Sequence, residues 1–187
     1  MRKLMEQHAW VDTAHDLAIT VAVVVGLSAD DVVRAYGGDP TMPIGARTFV
    51  ESAVPDDAIG DYGHAQVFTV ADRVVVLENN GWAGSDPGVA VRASAGGGVF
   101  MSAYWNVNAL SRLVQAVDGK VTANLEPLFA ADPPQVGDVD PVWLDGGAFT
   151  PSTYRSACLA VIQQQTDVAF DRDWLDAAWP TFQIPAR

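Results

Sequence analysis

The chain has 187 residues, which suits one globular domain with a substantial core. Hydrophobic residues make up 49% and charged residues 18%, a composition that argues against disorder. The 23 acidic and 11 basic residues give a net charge of −12, which disfavours binding to nucleic acid or anionic membranes. The acidic surface either serves solubility alone or meets a basic partner protein.

The single cysteine, Cys158, excludes an intrachain disulfide and suits a reducing compartment. Leu17–Leu27 is an apolar run, but its eleven residues are too few to span a bilayer. Acidic residues precede that run, and no cleavage site typical of a signal peptide follows it. We therefore expect a cytoplasmic protein.

The first third of the chain predicts helix, strand, helix and a long irregular connection. Leu4–Asp16 has the spacing of a short amphipathic helix. Ile19–Val25 is almost wholly β-branched, which predicts a central strand buried on both faces. A helix is the alternative, because periodicity alone does not distinguish the two in a short apolar run. Ser28 can cap the helix that follows, and Gly37 can end it. Asp39–Gly63 is rich in proline and glycine and is expected to be irregular.

The middle of the chain predicts two hairpins and a short helix. Gln66–Val70 and Arg73–Glu78 read as paired strands. Ser85 or Asp86 can cap a short helix that begins at Pro87, whose missing N–H group costs nothing at that position. Val99–Trp105 is a further strand, and Asp118-Gly119 is typical of a type I′ turn in the hairpin LVQAV-DG-KVTANL.

The C-terminal third predicts two helices after a loop. Glu126–Pro141 contains four prolines and is expected to be a surface loop. Ser152–Gln165 carries an apolar helical stripe, and Asp171–Ala178 reads as a short last helix. The whole chain, residues 1–187, is expected to be one α+β domain. It should hold a mostly antiparallel sheet of about five or six strands with helices packed on it.

Common catalytic motifs are absent from the sequence. It lacks Gly-x-Ser-x-Gly, a Walker loop, His-Glu-x-x-His and Cys-x-x-Cys, so an enzyme is the less favoured class and no cofactor is expected. Asp61 and His64 lie close together in an expected loop, where a histidine is usually solvated. Because no third ligand is visible, we expect no metal site.

Glu78 and Trp82 flank the turn Asn79-Asn80-Gly81 and form the first candidate site. Glu78 ends an apolar strand, so its carboxylate could be partly buried and act as a general base or bind a cationic group. Alternatively, it accepts hydrogen bonds from turn amides and fixes the bend. An exposed Trp82 would favour a binding surface.

The segment Trp105-Asn106-Val107-Asn108 is the second candidate. Two asparagines two residues apart on an extended segment point to the same side, so their amides could bind a polar ligand. They could equally satisfy backbone groups where the strand stops.

Together these segments resemble a family of uncharacterised actinobacterial proteins known only as a domain of unknown function. The resemblance rests on an apolar strand that ends in Glu before a Gly-Trp turn, a Trp-Asn-Val-Asn segment and an Asp-Gly hairpin. In this chain these read VVVLENNGWAGSDP and ASAGGGVFMSAYWNVNALSRLVQAVDGKV. The resemblance implies a cytoplasmic single domain and carries no activity.

We predict a cytoplasmic protein-interaction domain, an immunity-like or regulatory partner of another protein. The binding residues would be Glu78, Trp82, Trp105, Asn106 and Asn108. One alternative is a small hydrolase-like enzyme with Glu78 as its base and the two asparagines orienting the substrate. Another is a pocket for a small cationic ligand built from the same residues.

Overall fold

A computed structural model describes residues 1–130, 138–139, 141, 143–144 and 148–186. Eight strands form an open antiparallel sheet in the order β2-β8-β3-β4-β1-β5-β6-β7. The strands are β1 (Ile19–Val25), β2 (Pro43–Arg47), β3 (Tyr62–Val70), β4 (Arg73–Asn79), β5 (Val99–Trp105), β6 (Ser111–Val117), β7 (Lys120–Leu125) and β8 (Trp179–Pro185).

Helices cover both faces of the sheet. On one face, helix α5 packs with α1 and α2, and on the other face lie α3 and α4. Their bounds are α1 (Arg2–His8), α2 (Trp10–Thr13), α3 (Ala29–Tyr36), α4 (Pro87–Ala93) and α5 (Tyr154–Thr166). No helix within the described ranges is long and apolar enough to cross a membrane.

Strand β1 lies at the centre, between β4 and β5, as its β-branched sequence predicts. Successive side chains of a strand point to opposite faces, so Val21 and Val23 join the core under α5. Ala22 and Val24 join the core under α3 and α4. Burial on both faces explains why this strand has no polar stripe.

Local signals for turns and caps are confirmed. The Ser28 hydroxyl accepts from the Asp31 amide at 3.2 Å, and the Asp86 carboxylate caps α4 by accepting from the Gly88 amide at 2.6 Å. Asp118 and Gly119 have φ values of 48° and 72°, the positive pair that a type I′ turn needs.

The α+β class is confirmed, but the sheet has two more strands than the upper expectation of six. Strand β2 comes from the segment expected to be irregular, because it is a mostly exposed edge strand containing a proline and a glycine. Strand β8 contains Pro180 and Pro185, which argue against a strand in a sequence. The expected last helix is a single 3-10 turn, Arg172–Leu175. Half of the expected loop Glu126–Pro141, residues 131–137 and 140, lies outside the described residues.

The buried His8 should make stability depend on pH. Its Nε2 atom lies 2.7 Å from Gln163 Oε1, and burial lowers the pKa of the imidazole. Burial also lowers the pKa of His64. As the pH falls below the ordinary histidine pKa of about 6.5, the unfolded state takes up protons first, so the free energy of unfolding should decrease.

Urea denaturation between about pH 7.5 and pH 5.5 measures this effect. The decrease should be smaller in His8→Gln, which removes one titrating group. Equal decreases in the wild type and in this variant would contradict the assignment to His8.

Candidate functional site

The candidate site lies at the end of the sheet where β1 begins and β4 and β5 end. Glu78 is the penultimate residue of β4 and pairs with Thr20 of β1. The chain then turns through Asn79, Asn80 and Gly81, with Asn80 at a φ of 52°. A 3-10 turn, Ala83–Ser85, follows directly and returns the chain over the face that carries α3 and α4.

Glu78 is buried, with 1% of its surface exposed. Its Oε2 accepts from the Ala83 amide at 2.8 Å, and its Oε1 accepts from the Gly84 amide at 2.7 Å. A Cβ atom at Gly84 would lie 2.8 Å from the Tyr36 hydroxyl oxygen, so the close approach of this loop requires glycine. The carboxylate therefore holds the loop after β4 in place, which is the turn-fixing role considered from sequence.

Two polar residues beneath this loop belong to no motif that the sequence analysis singled out. The Thr20 hydroxyl donates to the Gly81 carbonyl at 2.6 Å, which ties β1 to the turn. Tyr36 is fully buried, and its hydroxyl has no hydrogen-bond partner among the described residues. Burial and the nearby charge of Glu78 raise the pKa of the Tyr36 hydroxyl, so this phenol stays protonated. A polar threonine within the apolar run ITVAVVV was the available signal for Thr20.

A cavity of about 210 Å³ lies beside Glu78 and is lined by the turn, the first residues of β3, the last residues of β8 and the loop before β3. Its polar and aromatic lining residues are Asp56, Tyr62, His64, Glu78, Asn79, Asn80 and Trp82. Trp82 is 43% exposed, as its place in a turn suggested.

His64 lies in β3 and is 6% exposed, which corrects the expectation of a solvated loop histidine. Its Nδ1 lies 2.9 Å from the Ser52 carbonyl oxygen. Because a carbonyl only accepts, Nδ1 carries the proton of this hydrogen bond. The lowered pKa keeps the ring neutral, so Nε2 is an acceptor.

The second candidate segment is built differently. Trp105 is 1% exposed and packs in the core under α5. Asn106 Oδ1 accepts from the Asn108 and Leu110 amides at 2.9 and 3.1 Å, and its Nδ2 donates to the Tyr104 hydroxyl at 2.8 Å. Asn108 is exposed. Asn106 thus closes the loop after β5, and the structure does not bring Asn106 or Asn108 into the lining of the cavity beside Glu78.

A wider depression of about 580 Å³ adjoins this cavity, since Asn79 and Asn80 line both. Val50 and Val107 line the depression and are 77% and 59% exposed. Four large apolar side chains that line the cavity or the depression are exposed to solvent. We call them the sheet-end surface: Val50, Ile59, Trp82 and Val107.

The charges that line the two concavities are mostly negative. Acidic residues are Asp56 and Glu78 in the cavity and Asp16 and Asp176 in the depression. Arg172 is the basic residue among the described lining of the depression. No cluster of three metal-binding side chains occurs in the described part of the chain.

Comparison with known proteins gives a family without an activity. The profile of DUF6461, a family of unknown function, matches residues 1–138. No curated protein and no solved structure matches the chain. The match confirms the resemblance to a domain of unknown function, and it includes both the turn after β4 and the loop after β5.

Proposed function

Since the chain belongs to the DUF6461 family, whose function is unknown, we propose its role from the sheet-end surface: a protein-interaction domain that binds a basic partner. The observation that carries the proposal is the grouping of four exposed apolar side chains in the lining of two adjoining concavities. Exposed apolar side chains that are grouped and rimmed by polar residues are typical of interaction sites, whereas single exposed ones are not.

The negative charge of this surface indicates that the partner is basic. Four acidic residues and one basic residue line the two concavities, and the whole chain carries a net charge of −12. Such a field accelerates encounter with a basic protein and repels an acidic one. A regulatory or immunity-like role in the cytoplasm, in which this domain occupies the surface of another protein, is part of the same proposal.

Affinity capture with matched variants tests the proposed function. The bait proteins are the wild type, Val107→Asp and Val117→Asp. Val117 is 38% exposed and lies at the opposite end of β6, so its variant adds the same charge away from the sheet-end surface. A true partner should bind the wild type and Val117→Asp alike, and bind Val107→Asp about tenfold more weakly or worse, because an aspartate would be buried in the interface.

The affinity for the purified partner should also fall as salt is raised to about 0.5 M, since exposed charges are then screened. A partner that binds all three proteins equally would place its site elsewhere. A partner with an acidic interface would refute the charge argument.

A further inference from the structure

We infer that the cavity beside Glu78 binds a guanidinium group, supplied as an arginine side chain by the basic partner. This inference rests on the proposed function for the source of the group. The chemistry of the cavity is argued separately from the residues that line it.

Hydrogen-bond acceptors dominate the charged and ionisable lining. Asp56 and Glu78 contribute carboxylates, which carry negative charge and only accept hydrogen bonds. His64 Nδ1 already donates to the Ser52 carbonyl, which leaves Nε2 as an acceptor. Lysine and arginine are absent from the described residues that line this cavity. This lining favours a ligand that carries hydrogen-bond donors and positive charge.

His64 provides the independent indication of a ligand. The side chain is 6% exposed and lines the cavity, and its Nε2 has no hydrogen-bond partner among the described residues. A buried acceptor of this kind is normally satisfied by water or by a ligand.

Aromatic and apolar walls favour a guanidinium over a metal ion. Trp82 and Tyr62 line the cavity, and the face of an aromatic ring attracts an organic cation, arginine more often than lysine. Ile59 and Ile184 also line it and can pack against a methylene stem. The cavity of about 210 Å³ is smaller than the usual site for a drug-sized ligand, which suits a single side chain.

Small-molecule titrations test the inference directly. The probes are N-acetyl-arginine amide and N-acetyl-citrulline amide, which has nearly the same shape without the charge. In NMR titrations the arginine probe should shift the Trp82 indole and Gly63 amide signals with a Kd on the order of 1 mM. The citrulline probe should bind at least about tenfold more weakly, because it lacks the charge that the carboxylates attract. Equal binding of the two probes would overturn the inference.

Two neighbouring carboxylates provide a matched pair of variants. Asp56 lines the cavity, whereas Asp57, the next residue of the same 3-10 turn, does not. Asp56→Asn should weaken binding of the arginine probe about fivefold or more, and Asp57→Asn should leave it within twofold. If both variants lost the same affinity for the arginine probe, binding would depend only on net charge. That result would overturn the assignment of the probe to this cavity.

The two proposals fail in different ways. If the arginine probe does not bind at about 20 mM while a basic partner still loses affinity for Val107→Asp, the cavity assignment is wrong and the sheet-end surface stands. If the probe binds as expected but no partner depends on the sheet-end surface, the cavity takes a small guanidinium compound and the proposed protein partner is wrong.

Discussion

Replacing Glu78 by alanine is expected to lower the free energy of unfolding by about 3–5 kcal/mol. The side chain is 1% exposed and accepts from the amides of Ala83 and Gly84, both of which are buried. Each buried donor left without a partner costs roughly 1–3 kcal/mol. Urea denaturation followed by circular dichroism measures the change.

Glu78→Gln should be intermediate. It keeps one carbonyl acceptor, but it turns an NH₂ group toward the other amide donor, so about one hydrogen bond is lost. The matched control is Glu51→Gln, because Glu51 also accepts from a backbone amide, that of Thr48 at 2.9 Å, but is exposed. Water can replace that bond, so its loss should cost less than about 1 kcal/mol. If Glu78→Ala lowered the free energy of unfolding by no more than Glu51→Gln does, the loop after β4 would not depend on the Glu78 carboxylate.

The parts of the fold that follow from local sequence were predictable. The β-branched run of β1, the Ser28 cap and the Asp118-Gly119 turn each depend on residues within a few positions of one another. Strands β2 and β8 depend on each other instead, since they pair across more than a hundred residues of chain. Their prolines and exposed residues give no alternating pattern, so nothing local marks them as strands.

The residues of the candidate site also divide into those marked by a local sequence motif and those brought together only by strand pairing. The sequence drew attention to Glu78 and Trp82 because both flank a recognisable turn. Asp56, Tyr62 and His64 reach the cavity through the pairing of β3 with β4 and β8, which no short motif records. The exposed Val50 and Val107 likewise come together only in the folded chain. The actinobacterial origin implied by the resemblance stays a prediction.

Asn106 was expected to present its amide to a ligand or to satisfy the backbone, and the structure shows the second arrangement. Its Oδ1 accepts from the amides of Asn108 and Leu110, and its Nδ2 donates to the Tyr104 hydroxyl. Only 9% of the residue is exposed, so water replaces these bonds incompletely when the side chain is removed. Loss of up to three hydrogen bonds explains why this one polar residue should matter for stability.

Asn106→Ala is therefore expected to lower the free energy of unfolding by about 2–3 kcal/mol, measured by urea denaturation. Asn106→Asp keeps an oxygen for the two amides and can accept from the Tyr104 hydroxyl, so it should cost less than about 1 kcal/mol. Asn108→Ala is the control, because that side chain is exposed, and it should change stability by less than about 0.5 kcal/mol.

Binding separates the structural role of Asn106 from a role in recognition. Neither Asn106 nor Asn108 lines the cavity beside Glu78, so Asn106→Asp and Asn108→Ala should bind N-acetyl-arginine amide with the wild-type affinity. If Asn106→Asp were as stable as expected yet lost affinity for that probe, Asn106 would act at a distance on the cavity. Such an effect would have to pass from the loop after β5 to the cavity through Tyr104, Thr20 and Glu78, which pair across β5, β1 and β4. Substitutions at well-separated sites usually have additive effects, so we expect the two loops to respond independently to substitution.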